Sequence, residues 1–139
     1  MRIGLVTDLH YCSLEVLLGR RKPQLALRRL REALDRFVRA DARLIVCLGD
    51  LINDEGDPQR NAENLDAIAR VFKEPGLPCV CLMGNHDGEA FTPETFERIT
   101  GWSAAPGTWA REDLRLHFLN ANYHWDGSAY RPGHVDWRE

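Results

Sequence analysis

Residues 44–54 read LIVCLGDLIND. The run from Leu44 to Leu48 is apolar at every position and rich in β-branched residues, with none of the alternation that marks a strand wetted on one face. Such a run predicts a strand buried on both sides, the interior strand of a parallel sheet covered by helices. It stops abruptly at Gly49 and Asp50. The same design recurs on either side, where IGLVT at residues 3–7 leads into Asp8, Leu9 and His10, and CVCLM at residues 79–83 leads into GNHD at residues 84–87.

Helical patterns fill the intervals. Residues 23–40 carry Leu27, Leu30, Leu34, Phe37 and Val38 at the spacing of one buried helix face, with Pro23 suited to the first turn. Residues 62–73 repeat the pattern with Leu65, Ile68, Ala69 and Phe72, before Pro75, Gly76 and Pro78 break the chain. The order strand, helix, strand, helix, strand predicts an α/β fold with a parallel βαβαβ core. Thr92 and Pro93 then read as the cap and first residue of a short helix that Gly101 ends. Residues 108–111 and 114–121 predict an antiparallel hairpin, turning at Glu112 and Asp113 and added to the sheet. Beyond Asn122 the pattern becomes polar, aromatic loop.

With 139 residues, 44% of them hydrophobic and 28% charged, the chain has the composition of one globular domain, so residues 1–139 are expected to form a single domain. A net charge of −3 offers no general attraction for nucleic acid or an anionic membrane, so any affinity for phosphate must be local. No stretch approaches the roughly 18 apolar residues of a membrane span, and MRIGLVTD lacks the form of a signal peptide. A cytoplasmic protein is expected. Cys12, Cys47, Cys79 and Cys81 include no CxxC pair, and three of them lie in apolar runs, which predicts reduced core thiols rather than a metal knot.

In a parallel sheet all three strand ends face the same way, toward the crevice where open α/β sheets bind ligands. Asp8, His10, Asp50, Asn85 and His86 would therefore converge. Carboxylate, amide and imidazole without thiolate form a mixed oxygen and nitrogen set suited to Mn, Fe, Co, Zn or Mg. Two such ions roughly 3.5 to 4 Å apart, bridged by Asp50, would suit phosphoester hydrolysis by a metal-activated water. Taken singly, TDLH reads equally well as a helix cap beside a surface histidine, and GNHD as a turn. Their joint occurrence, each at a strand end, carries the reading.

These residues resemble the calcineurin-like metallophosphoesterase superfamily, whose pattern begins D-x-H, GD and GNH(D/E). Asp8, His10, Gly49, Asp50, Gly84, Asn85, His86 and Asp87 match it in order. The resemblance implies Asp8 and His10 on a first metal, Asp50 bridging and Asn85 on a second. It also implies catalytic roles for His86, acting on the substrate, and Asp87, orienting the His86 ring. TDLHYCS at residues 7–13, the basic residues Arg20, Arg21 and Lys22, and residues 120–137 are similar to the branch containing manganese-dependent ADP-ribose and CDP-alcohol diphosphatases. The basic run would then approach substrate phosphates; it reads equally as a solvated stretch before a helix.

The family pattern continues with one metal-binding histidine and a GHxH motif. Here GNHD is followed by His117, His124 and His134, and GH at residues 133–134 continues as VDW. The chain therefore resembles the amino-terminal half of a metallophosphoesterase sandwich, an apparently truncated domain. One sheet face would be left apolar and open, so self-association or pairing with a missing carboxy-terminal half is expected. The expected function is a metal-dependent phosphoesterase, incomplete as this chain, acting on a phosphomonoester, a phosphodiester or a nucleotide pyrophosphate. The alternative is a noncatalytic half-domain that self-associates or binds a partner.

Overall fold

A computed structural model describes residues 1–15, 19–111, 114–125 and 128–132. Strands β1 (Ile3–Val6), β2 (Leu44–Cys47) and β3 (Cys79–Cys81) form a parallel sheet in the order β1-β2-β3. Leu5 lies opposite Val46, and Val46 opposite Val80. All four residues of the central β2 are buried, as its unbroken apolar run predicts.

The crossovers are α1 (Ala26–Arg39), entered through a 3-10 turn at Pro23–Leu25, and α2 (Pro58–Lys73). Strand order follows chain order, so right-handed crossovers bring both helices to the same face of the sheet, where they pack on each other. Leu30 and Leu34 of α1 meet Leu65, Ile68, Val71 and Phe72 of α2 over Ile45, Cys47 and Cys81 of the sheet. Full burial of such side chains is worth about 1.5–3 kcal/mol each, which makes this layer the stabilising core. Val38, at the edge of the α1 stripe and near its end, stays 49% exposed instead of joining it.

The helix α2 begins earlier than its apolar periodicity suggests, because Asp57 caps it by accepting from the amides of Gln59 and Arg60 while Pro58 occupies the first turn. A short helix, α3 (Asn85–Ala90), stands where GNHD reads as a turn. Gly84 enters it in an extended conformation, and the Asp87 carboxylate accepts from the Gly84 amide at 2.9 Å, which closes the first turn. The next helix, α4 (Pro93–Thr100), follows its signals: Thr92 accepts from the Thr95 amide and Gly101 ends it at φ 75.

The hairpin pairs β4 (Gly107–Arg111) with β5 (Leu114–Phe118) as a two-stranded sheet of its own. The turn positions Glu112 and Asp113 lie outside the described residues. Its second strand ends at Phe118 because the buried Asn120 accepts from the amides of Asn122 and Tyr123, which bends the chain. The polar tail then forms an antiparallel pair, β6 (Tyr123–Trp125) and β7 (Tyr130–Pro132), where the sequence reads as loop.

Alternation along the strands turns Leu5, Leu44, Val46 and Leu48 away from the helices. Leu44 and Val46 are buried, whereas Leu5 and Leu48 are 61% and 52% exposed. The expected open apolar face is thus confined to the edge and the upper end of the sheet. Among the described residues no helix is long and apolar enough to cross a membrane.

Candidate metal centre

Asp8, His10 and Asp50 share an unusual backbone. They adopt φ of 56°, 47° and 56°, and the one other described non-glycine residue with positive φ is Asp41. A side-chain-bearing residue pays about 1–3 kcal/mol for such a conformation. The cost is met by pairing between the two loops: the Asp8 amide donates to the Gly49 carbonyl at 3.2 Å, that of His10 to Asp50 at 3.0 Å, and that of Tyr11 to Leu51 at 3.0 Å. The ends of β1 and β2 are thereby locked together with both acids on the same rim.

The third loop is brought in by a glycine contact. A Cβ built on Gly49, itself at φ 104°, would lie 2.6 Å from the Gly84 Cα, and one on Gly84 would overlap the Asp50 amide and carboxylate. Only two residues without side chains let these loops touch. Asp87, fully buried, completes the join by accepting from the amides of Leu51 at 3.0 Å, Ile52 at 3.2 Å and Gly84 at 2.9 Å. Burial pushes its carboxyl up to about 6, the amide bonds pull against that shift, and the nearby charge of Asp50 adds to it.

The His10 ring is fixed from behind. Asn53 donates through Nδ2 to the His10 carbonyl at 3.2 Å, so its Oδ1, 3.0 Å from His10 Nδ1, must be the acceptor for the ring N–H. That tautomer leaves the Nε2 lone pair free, 3.5 Å from Asp8 Oδ1 and 3.9 Å from Asp50 Oδ2. A histidine ligand held through its other nitrogen is the usual arrangement in metal sites. The Asp8 carboxyl is held below its ordinary range by the Thr7 hydroxyl, which donates at 2.6 Å, with further help from His10 and the charge of Arg21.

His86 stands edge-on to His10, ring centroids 4.8 Å apart, and its amide donates to Asp50 Oδ1 at 3.1 Å. Ligand atoms of His10, Asp50 and His86 all lie within 4.8 Å of one another. Asn85 is exposed at the start of α3 and lines, with Asp50 and Leu48, a cavity of about 230 Å³. This donor set, oxygen and imidazole nitrogen without thiolate, fits a divalent cation of the Mn, Fe, Zn or Mg type.

One residue departs from the sequence reading. Asp87 is spent on backbone amides, and the group facing the His86 ring is Glu89, whose Oε2 lies 3.3 Å from Nδ1. Asn53 and Glu89 have no distinguishing sequence signal beyond closeness to the motifs. His117 is engaged within the hairpin by the Thr108 hydroxyl at 3.1 Å, while the His124 side chain and His134 lie outside the described structure. All four thiols are free, and Cys79 and Cys81 sit with sulfurs 3.8 Å apart.

The sequence model of the calcineurin-like phosphoesterase family matches residues 1–135. No curated protein matches at a significant level. Among solved structures, a dimetal phosphatase from Danio rerio superposes with a TM-score of 0.62 at 22% identity, over 69% of this chain and 32% of that one. This chain thus spans about a third of that protein's length, and at such identity the likeness speaks for the fold alone. The three strand-end motifs meeting at one rim, in a stretch that the family model covers almost end to end, place this chain in the calcineurin-like phosphoesterase family.

Proposed function

We propose that this chain carries the metal-binding part of a metal-dependent phosphoesterase, with Asp8, His10 and Asp50 as ligands and Asn85 serving a second ion. The observation that carries the reading is the backbone: among the described residues, three of the four non-glycine residues held at positive φ are the acids and histidine of this rim. Strain of this kind persists where a site needs it. Divalent ions, manganese among them, would supply Lewis-acid polarisation of a phosphoryl oxygen and of the attacking water.

The chain's own part is to place and protonate. In hydrolysis a water oxygen bonds to phosphorus, the ester P–O bond breaks, and the leaving oxygen takes a proton. His86 is the donor in this reading: Glu89 faces Nδ1, so Nε2 is the nitrogen left to hold that proton. Asp87 acts as a positioning residue that keeps the second and third loops in register. Phosphomonoesters, phosphodiesters and nucleotide pyrophosphates are the candidate substrates, and four free thiols suit a cytoplasmic setting.

The test compares the parent with Asp50→Asn and His86→Ala on phenyl phosphate and diphenyl phosphate, whose more basic leaving oxygen needs the proton, with and without manganese, alongside calorimetric titration of the metal. Expected is manganese-dependent turnover, a loss of metal affinity in Asp50→Asn, and a loss on the order of a hundredfold in kcat for His86→Ala with the metal still bound. Metal-independent turnover, or parental rates in both variants, overturns the reading. If His86→Ala instead loses the ion, His86 is a ligand rather than the acid.

The exposed Leu5 and Leu48 favour a second reading, in which the chain is a half-domain that self-associates or pairs with a carboxy-terminal half through this end of the sheet. Light scattering on the parent and on Leu5→Glu/Leu48→Glu tests it. A parent that is already monomeric at high concentration counts against self-association.

A further inference from the structure

Of the side chains assigned to metal, those of the first two loops are fixed by the protein. Asn53 holds the His10 ring, the Thr7 hydroxyl bonds to Asp8, and the His86 amide donates to Asp50. Asn85 differs. It is exposed, and among the described residues no hydrogen bond reaches its side chain. Its direction therefore depends on the backbone that carries it, which enters α3 through the peptide joining Met83 to Gly84.

That peptide is held from two sides. Asp87 accepts from the Gly84 N–H at 2.9 Å, and Nδ2 of Asn122 donates to the Met83 carbonyl at 2.9 Å. The N–H and C=O of a trans peptide point in opposite directions, so the two bonds together resist rotation of the peptide plane. The hold matters most at a glycine, whose dihedrals no Cβ restricts.

Asn122 is itself anchored. The buried Asn120 accepts from the Asn122 amide at 2.9 Å and from the Tyr123 amide at 3.1 Å, and it donates to the Ala104 carbonyl at 3.1 Å. Tyr123 packs on the core and beside α3, where a Cβ on Gly88 would lie 3.6 Å from its ring. Asn122 also lines, with Asp50 and Asn85, the cavity of about 230 Å³. The segment after β5 thus braces the third loop from the side that Asp87 does not reach.

We propose that Asn122 is a positioning residue for Asn85: by fixing the Met83–Gly84 peptide through its carbonyl, it sets the affinity of the second ion and leaves the first to Asp8, His10 and Asp50. This rests on the assignment of Asn85 to a second ion in the metal-dependent phosphoesterase reading.

The experiment is calorimetric titration of the full chain with manganese in the parent, Asn122→Leu and Asn122→Gln. Leucine keeps the branched shape of asparagine without its donor, and glutamine keeps the donor on a longer arm. Expected are two binding steps in the parent. In Asn122→Leu the second should weaken about 10- to 100-fold with the first unchanged, and Asn122→Gln should recover part of the loss. Asn122→Ala repeats the removal of the donor with no apolar bulk to accommodate. A single step in the parent overturns the proposal, as do two steps that weaken alike, two that stay parental in both donor-free variants, or a glutamine variant no better than the leucine. Hydrolysis of phenyl phosphate separates the two claims. A second step lost in Asn122→Leu of a chain that hydrolyses nothing keeps the positioning role and sinks the phosphoesterase; manganese-dependent hydrolysis with parental binding steps in that variant does the reverse.

Discussion

Gly84 packs against Asp50 so closely that no side chain fits between them: a Cβ there would overlap the Asp50 amide nitrogen and carboxylate. This contact sets the separation of the second and third loops, and with it the distance from Asp50 to Asn85 and His86. Gly84→Ala should therefore move the loops apart. The expected cost is about 1–3 kcal/mol of stability, the usual range for forcing atoms into a packed site. A larger proportional loss of metal affinity should accompany it. Chemical denaturation and metal titration check this, and a variant with parental values in both would show that the contact relaxes freely.

Asn53 holds His10 by two bonds, one to the ring and one to the backbone carbonyl. Asn53→Ala removes the acceptor that fixes the tautomer while leaving every first-contact donor in place. Metal affinity should fall about 10- to 100-fold, as for loss of other groups that orient a histidine ligand. Asn53→Asp keeps an acceptor for the ring and should recover part of the affinity. Equal affinities in parent and alanine variant would mean that Asp8 and Asp50 hold the ion without help from a fixed ring.

The motifs and the sheet were legible for a common reason. Three apolar runs ending in Asp, His and Asn needed only the parallel topology to bring their ends together, and periodicity supplies that topology. What periodicity cannot supply is side-chain to backbone bonding. The helix α3 has six residues, NHDGEA, and no apolar stripe; it forms because Asp87 reaches back to the Gly84 amide. Asn120 ends β5 by the same kind of bond, and Asn53 joins the site by one to the His10 carbonyl. The polar tail pairs as β6 and β7 although its strands are three residues each, too short for an alternation to register. Asp87 was expected to face the neighbouring ring because it is adjacent in sequence; its burial instead commits it to three amides.

Glu55 ties the first loop to the second. It accepts from the Ser13 amide and hydroxyl and from Asn64 of α2. Burial alone would raise its carboxyl, but these bonds outweigh burial and hold it below the ordinary value of 4.5. A depressed acid contributes stability that is present above its unfolded value and is lost as the pH falls through the folded one. Glu55→Gln should thus lower the melting temperature at pH 7 by the equivalent of about 1 kcal/mol. The difference between parent and variant should shrink below pH 4.5 and vanish in stronger acid. A difference that stays constant from pH 7 to pH 3 would assign the effect to packing rather than to the charge.

Asp87 offers the sharpest separation of a positioning role from a catalytic one. Its carboxylate satisfies amides of Leu51, Ile52 and Gly84, all in the interior of the join. Asp87→Ala leaves those donors without an acceptor, at about 1–3 kcal/mol for each buried group, so the variant should be severely destabilised or fail to fold. Asp87→Asn is the informative change. The amide keeps one oxygen for Leu51 and Ile52 and turns its NH2 toward the single Gly84 amide, a smaller loss than the alanine's, and it carries none of the charge that burial already disfavours in the parent, whose carboxyl sits near 6. The asparagine variant should therefore fold, bind metal within about tenfold of the parent and keep the Nδ1 of His86 facing Glu89. If Asp87 only positions the loops, turnover in Asp87→Asn should fall in step with metal affinity and recover at saturating manganese. A kcat that stays down on the order of a hundredfold with the metal fully bound, as expected of His86→Ala, would show Asp87 acting on the imidazole directly.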